Sequence, residues 1–124
     1  MNEDLLIFQN NINGYYSSSE VLETNLHTSQ PHICLLQECF RSENKSINYQ
    51  RIKDRYNQFW SETGRTGILV RRDINVVQRK FVTEQDKFHT SGYESCWVEI
   101  SYLGESKPIM FCSLYRNIQK TKVK

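Results

Sequence analysis

The stretch that most constrains this chain is LLIFQNNING, residues 5–14, where a four-residue apolar run breaks at once into three asparagines and a glycine. A run so short, with a β-branched and an aromatic member, predicts a strand covered on both faces; a helix needs about ten residues or more. ICLLQE, residues 33–38, repeats the pattern and ends on a carboxylate. Between them, Ser17 and Glu20 stand in capping-box spacing, and Leu22 and Leu26 lie on one helical face. That predicts a helix over about residues 18–27, closed off by Pro31. Strand, helix and strand in this order read as a crossover that packs the helix on a sheet and lets the two strand ends meet.

At those ends the chemistry is specific in kind. Asn11 offers an amide oxygen and Glu38 a carboxylate, a hard-oxygen pair suited to Mg²⁺, which takes few protein ligands and keeps several waters. A plainer reading uses the same residues: Asn-Ile-Asn-Gly as a turn, since Asn and Gly tolerate left-handed backbone, and Glu38 as an exposed strand terminus. Spacing alone does not choose between them.

The chain turns polar over residues 39–56, which predicts a surface loop holding one turn of helix. Residues 56–60 and 67–70 then read as neighbouring strands joined by SETGRT, with Gly64 and Gly67 supplying the turn. Arg65 in that loop, and Arg71 and Arg72 at the far strand end, are either phosphate contacts or a solvated charged rim. Ile74, Val76 and Val77 make a short strand, and residues 79–92 a polar loop. Trp97, Glu99 and Ser101 interleave with Cys96, Val98 and Ile100, the period-two signal of a half-buried strand. Gly104 and Pro108 bracket a turn, and residues 109–115 form the last strand.

With 124 residues, 38% of them hydrophobic and 12% aromatic, the chain has one domain's length and enough apolar material for a core, which excludes a disordered composition. Sixteen basic against 14 acidic residues leave a net charge of +2, which argues neither for nor against nucleic acid. Cys34, Cys39, Cys96 and Cys112 lack the paired spacings of a zinc site and read as buried free thiols. His27 reads as an exposed residue at the helix end, and neither His32 nor His89 has a pattern that makes it a ligand. The amino terminus is acidic, with an apolar run far short of a secretory or membrane segment, so an intracellular protein is expected.

NING after a buried strand, followed by a helix and CLLQE, resembles the endonuclease/exonuclease/phosphatase family, and most of all the endonuclease domains of non-LTR retrotransposons. GRTGILVRRDI at 64–74, SCWVEI at 95–100 and IMFCSLYR at 109–116 extend the resemblance in the family's order over nearly the whole chain. It implies an α+β sandwich of four layers, α/β/β/α. Residues 1–118 are then the amino-terminal half of that domain, with a mixed sheet and one crossover helix, and 119–124 a frayed basic tail. It further implies Mg²⁺ or Mn²⁺ at Asn11 and Glu38, a catalytic set of Asn11, Glu38 and Tyr115, and DNA as the partner. No small-molecule cofactor and no membrane are implied, and the nucleus is the place where such a domain acts. Tyr115 would donate a hydrogen bond to developing negative charge on the phosphate; without the resemblance it is a tyrosine at the edge of the core.

Asn10 stands where the family commonly has an aromatic residue, and Asn117 where a proline often follows Tyr-Arg. The family's Asp-x-Asn pair, further aspartate and terminal histidine belong to a second half that this chain does not reach. Asp73-Ile74-Asn75 matches the Asp-x-Asn spelling but precedes Tyr115 and is read as a decoy. Three functions follow as expectations: a truncated, DNA-nicking phosphodiesterase, an inactive remnant that at most binds metal or nucleic acid, and a relative acting on a non-nucleic phosphodiester. Half a sandwich is also expected to leave the inner face of its sheet bare and to self-associate through it.

Overall fold

The computed structural model describes residues 4–39, 49–79, 93–101 and 107–116. In chain order these form β1 (Ile7–Asn11), α1 (Tyr15–Ser29), β2 (Ile33–Gln37), α2 (Gln50–Arg55), β3 (Tyr56–Trp60), β4 (Thr66–Arg71), β5 (Asn75–Arg79), β6 (Tyr93–Ser101) and β7 (Ile109–Arg116). The architecture is α+β, with two sheets and two helices among the described residues. Of the loop expected at 79–92, Arg79 is the last residue of β5 and the rest lies outside the described residues, as does the turn at Gly104.

The first sheet has the order β1-β2-β4-β3 and is mixed. β1 runs parallel to β2 with Asn11 level with Gln37, as the crossover through α1 requires. β2 and β3 both run antiparallel to β4, and the β3–β4 hairpin stands where the sequence puts it. The second sheet is an antiparallel meander, β5-β6-β7.

Two cores explain the apolar runs. Cys34 and Leu36 of β2 and Leu69 of β4 face the helices, where they meet Leu22 and Leu26 of α1, Ile52 of α2 and Tyr56. The alternate residues, Ile33, Ile68 and Val70, face the second sheet and pack with Cys96, Val98 and Ile100 of β6. Because β2 and β4 are covered on both sides, they need apolar residues at consecutive positions and do not alternate. The Tyr56 hydroxyl donates to the Pro31 carbonyl at 2.7 Å, tying β3 to the end of α1.

Three expectations are corrected here. β1 is an edge strand, not one covered on both faces: its residues alternate in exposure and Ile7 is 42% exposed, because β2 is its one described neighbour. The chain contributes strands to both sheets, so the face expected to be bare is covered by β5, β6 and β7. Besides Leu6, Ile7, Val21 and Tyr49, the large apolar residues left in the open among the described residues lie on the outer face of the second sheet, where Val77, Met110 and Leu114 are 52%, 40% and 50% exposed. The third concerns α1, which starts at Tyr15 directly after Gly14, so Ser17 lies inside the first turn and no side chain caps the helix. Gly14, at φ 99°, makes the sharp entry instead.

Candidate functional site

Two strand ends do meet. Parallel pairing sets the ends of β1 and β2 side by side, and there the Asn11 amide donates through Nδ2 to Glu38 Oε2 at 2.7 Å. Asn11 is exposed and Glu38 half-buried. Among the described residues, the second Glu38 carboxylate oxygen and the amide oxygen of Asn11 have no protein hydrogen bond, which leaves two hard oxygens at one place. Such a donor set suits a cation that keeps most of its waters.

Glu38 is held in an unusual conformation. Its φ of 56° is left-handed, which costs a residue with a Cβ about 1–2 kcal/mol. Two backbone hydrogen bonds hold the peptide that follows it: Gly14 N–H donates to the Glu38 carbonyl at 2.6 Å, and Cys39 N–H donates to the Arg65 carbonyl at 3.1 Å. Asn13 is left-handed as well, at φ 49°, so the turn reading of NING and the strand-end reading both describe the same few residues.

The second sheet reaches this end through buried hydroxyls. Ser113 Oγ of β7 and Thr66 Oγ1 of β4 each lie 2.8 Å from the Leu36 carbonyl and within hydrogen-bond reach of each other; with one proton apiece, one donates to the carbonyl and the other to its neighbour's oxygen, while Gln37 Nε2 donates to Ser113 Oγ at 2.9 Å. Tyr115, two residues beyond Ser113 on the same strand face, is therefore at the Asn11–Glu38 end, half-buried, and level with Glu94 of β6. Glu94 accepts hydrogen bonds from the Ser61 hydroxyl, from Thr63 N–H at 2.9 Å and from Thr63 Oγ1 at 2.7 Å. Burial pushes the Glu94 carboxyl up. The bonds from Ser61 and Thr63, with the nearby charge of Arg65, outweigh that and hold it below the usual range.

Comparison with models of protein families, with curated proteins and with solved structures finds no significant match.

Of the sequence-derived residues, Asn11, Glu38, Arg65 and Tyr115 share one end of the sandwich. Arg71 does not join them. It closes the opposite end of β4, five steps or roughly 17 Å along the strand from Thr66. There it forms an ion pair with Asp73 at 2.9 Å and donates to the Gln30 carbonyl at 3.1 Å. The Arg71 hydrogen bond lowers the Asp73 carboxyl, partly offset by burial, so the Asp-x-Asn look-alike is occupied at that far end. His27 is exposed in the last turn of α1, and His32 is buried with Nδ1 accepting from Leu6 N–H at 2.9 Å. Both precede β2 and lie at the end away from Glu38; His89 lies outside the described residues. Among the described residues no three His, Cys, Asp or Glu side chains form a metal-holding group.

The thiols behave as core side chains. Cys34, Cys39 and Cys96 are buried, Cys112 is half-buried, and all four are free. Burial pushes the Cys34 thiol up to about 12 and Cys39 higher still, with Cys34 adding to the latter, so neither is a nucleophile at neutral pH.

Sequence reasoning passed over Glu94, Ser113 and Thr66. The signal was present in parity: Glu94 falls on the same strand face as Cys96, Val98 and Ile100, so a carboxylate pointing inward needed partners. Ser113 interrupts FCSLY on an inward position in the same way.

Proposed function

We propose that this chain carries the amino-terminal share of a Mg²⁺-dependent phosphodiesterase site of the endonuclease/exonuclease/phosphatase type, with DNA as its substrate. The observation that carries the reading is the 2.7 Å hydrogen bond joining Asn11 and Glu38 across adjacent parallel strand ends. Asn11 and Glu38 would hold the metal through an amide and a carboxylate oxygen. When bound, it supplies positive charge that polarises the phosphate and steadies the leaving oxygen.

The rest is done by the chain's own groups. The Asn11 NH₂ fixes which way the Glu38 carboxylate turns. Tyr115 donates a hydrogen bond to a phosphate oxygen as charge builds there, and Arg65 offers a guanidinium at the same end. The two packed sheets, one of them mixed, and the crossover helix support the four-layer α/β/β/α fold, in which the outer face bearing Val77, Met110 and Leu114 would lie under a further helical layer.

A binding remnant without turnover is the second reading, supported by the absence, among the described residues, of a histidine at that end and of a group of three His, Cys, Asp or Glu side chains that could hold a metal. A general base and the donors that neutralise charge are each worth about a hundredfold or more. The chain alone is therefore expected not to nick supercoiled plasmid DNA in Mg²⁺. Mixed with the carboxyl-terminal half of a non-LTR retrotransposon endonuclease, it is expected to nick, and Glu38→Gln to abolish that. Nicking indifferent to Glu38→Gln would refute the metal site. Nicking by this chain alone would show that it already holds the groups assigned to the other half.

A further inference from the structure

We propose that Glu94 is a positioning residue for Glu38, acting through the hairpin turn at 61–65; its consequence for function rests on Asn11 and Glu38 being the metal-binding pair. Glu94 belongs to the second sheet and Glu38 to the first, and they share no hydrogen bond. The connection runs through the turn. Glu94 accepts from three donors of the turn: the Ser61 hydroxyl, the Thr63 N–H and the Thr63 hydroxyl. Ser61 Oγ in turn accepts from Thr66 N–H at 3.2 Å, and Gly64 N–H donates to the Ser61 carbonyl at 3.1 Å with Gly64 at φ 80°. This fixes the peptide of Arg65, whose carbonyl takes the Cys39 N–H.

That last bond holds the peptide immediately after Glu38, whose left-handed backbone must be imposed by its surroundings because an L-residue does not choose it. The carbonyl of that peptide is tied to Gly14 and its N–H to the hairpin. Of these two bonds, the one to the hairpin is the one that Glu94 supports. A side chain at 94 too short to accept from the turn thus loosens it, then the Cys39 peptide, and then the aim of the Glu38 carboxylate.

The test is amide hydrogen exchange and Mn²⁺ titration followed by NMR on the whole chain, comparing wild type with Glu94→Ala and Glu94→Gln. In Glu94→Ala the Cys39 and Thr66 amides are expected to exchange about tenfold faster, the loss of roughly one hydrogen bond's protection. Val70 and Ile100 in the strand ladders should keep wild-type rates. Glu94→Gln should recover most of the protection, because its amide oxygen still accepts from Thr63 N–H. The Mn²⁺ concentration that half-broadens Glu38 should rise severalfold in Glu94→Ala and little in Glu94→Gln.

Unchanged Cys39 protection in a folded Glu94→Ala chain would overturn the proposal. If Glu94→Ala fails to fold, Thr63→Ala removes the turn's hydroxyl alone and must loosen Cys39 for the proposal to stand. Loosening of Cys39 in a chain whose wild type shows no Mn²⁺ effect at Asn11 or Glu38 would uphold the latch and overturn the metal reading.

Discussion

Replacing Glu38 by glycine and by alanine separates the cost of its backbone from the chemistry of its side chain. Both variants lose the carboxylate and the bond from Asn11, so the difference between them isolates the conformation at φ 56°. The left-handed region costs alanine about 1–2 kcal/mol, and glycine nothing comparable. Against this, glycine adds freedom to the unfolded chain worth about 0.4–1 kcal/mol. The balance makes Glu38→Gly more stable than Glu38→Ala by about 0.8 kcal/mol. Within a regular strand the order is reversed, alanine leading by about 0.5–1 kcal/mol. Urea denaturation of the two variants, with unchanged slopes, reads this as a difference in midpoint, and thermal melting as about 3 °C. Alanine as stable as glycine, or more so, would mean that the end of β2 does not force a left-handed turn at Glu38, and the aim given to its carboxylate would fall with it.

Gly67→Ala tests the packing of the hairpin beside the site. A Cβ there would lie 2.1 and 2.3 Å from Trp60 Cε3 and Cζ3 and 2.9 Å from the Phe59 carbonyl, so a loss of about 2–3 kcal/mol is expected in urea denaturation; a loss below about 0.5 would mean the indole does not cross Gly67. Glu94 and Asp73 are both held below their ordinary values of 4.5 and 3.8, so their contribution to stability is present above those values and is lost as pH falls through the lower folded ones. Denaturation across an acid pH series should show that decline, and Glu94→Gln should be less stable at neutral pH with a flatter acid limb; an unchanged limb would contradict the account of Glu94. Copies of the chain are expected to associate through the outer face of the second sheet, so Val77→Lys with Leu114→Lys should lower the sedimenting mass, and a wild type that stays monomeric at high concentration would refute it.

The sequence exposed those elements whose local signal agrees with their surroundings. ICLLQ and GILV read correctly as buried strands because each is covered by helices on one side and by β5–β7 on the other, so that both residue parities had to be apolar. In LLIF the same kind of run misled. Only Phe8 of β1 packs against the helix-side core and Leu5 against the other, and an edge strand with Ile7 in the open is spelled like a central one. The second sheet was visible as strands but not as a separate layer, because its pairing partners, such as Asn75 with Ser101 and Tyr93 with Arg116, are set by register between strands and leave no mark in local periodicity. At the site, Asn11 and Glu38 were legible from their place at strand ends. Arg71 stands at the far strand end in the sequence too, but its engagement there by Asp73 and the Gln30 carbonyl was not legible, because those partners are set by the turn after β4 and by the end of α1.

Under the proposed function, Asn11 and Glu38 together hold a divalent cation. The measurement that tests it most directly is a Mn²⁺ titration of the isotope-labelled chain, watching the amide of Glu38 and the side-chain NH₂ of Asn11 by NMR. Both are expected to broaden first, at about millimolar metal as befits two protein oxygens, with Mg²⁺ competing the effect away and Glu38→Gln removing it. Broadening that begins elsewhere and leaves these two groups sharp would contradict it.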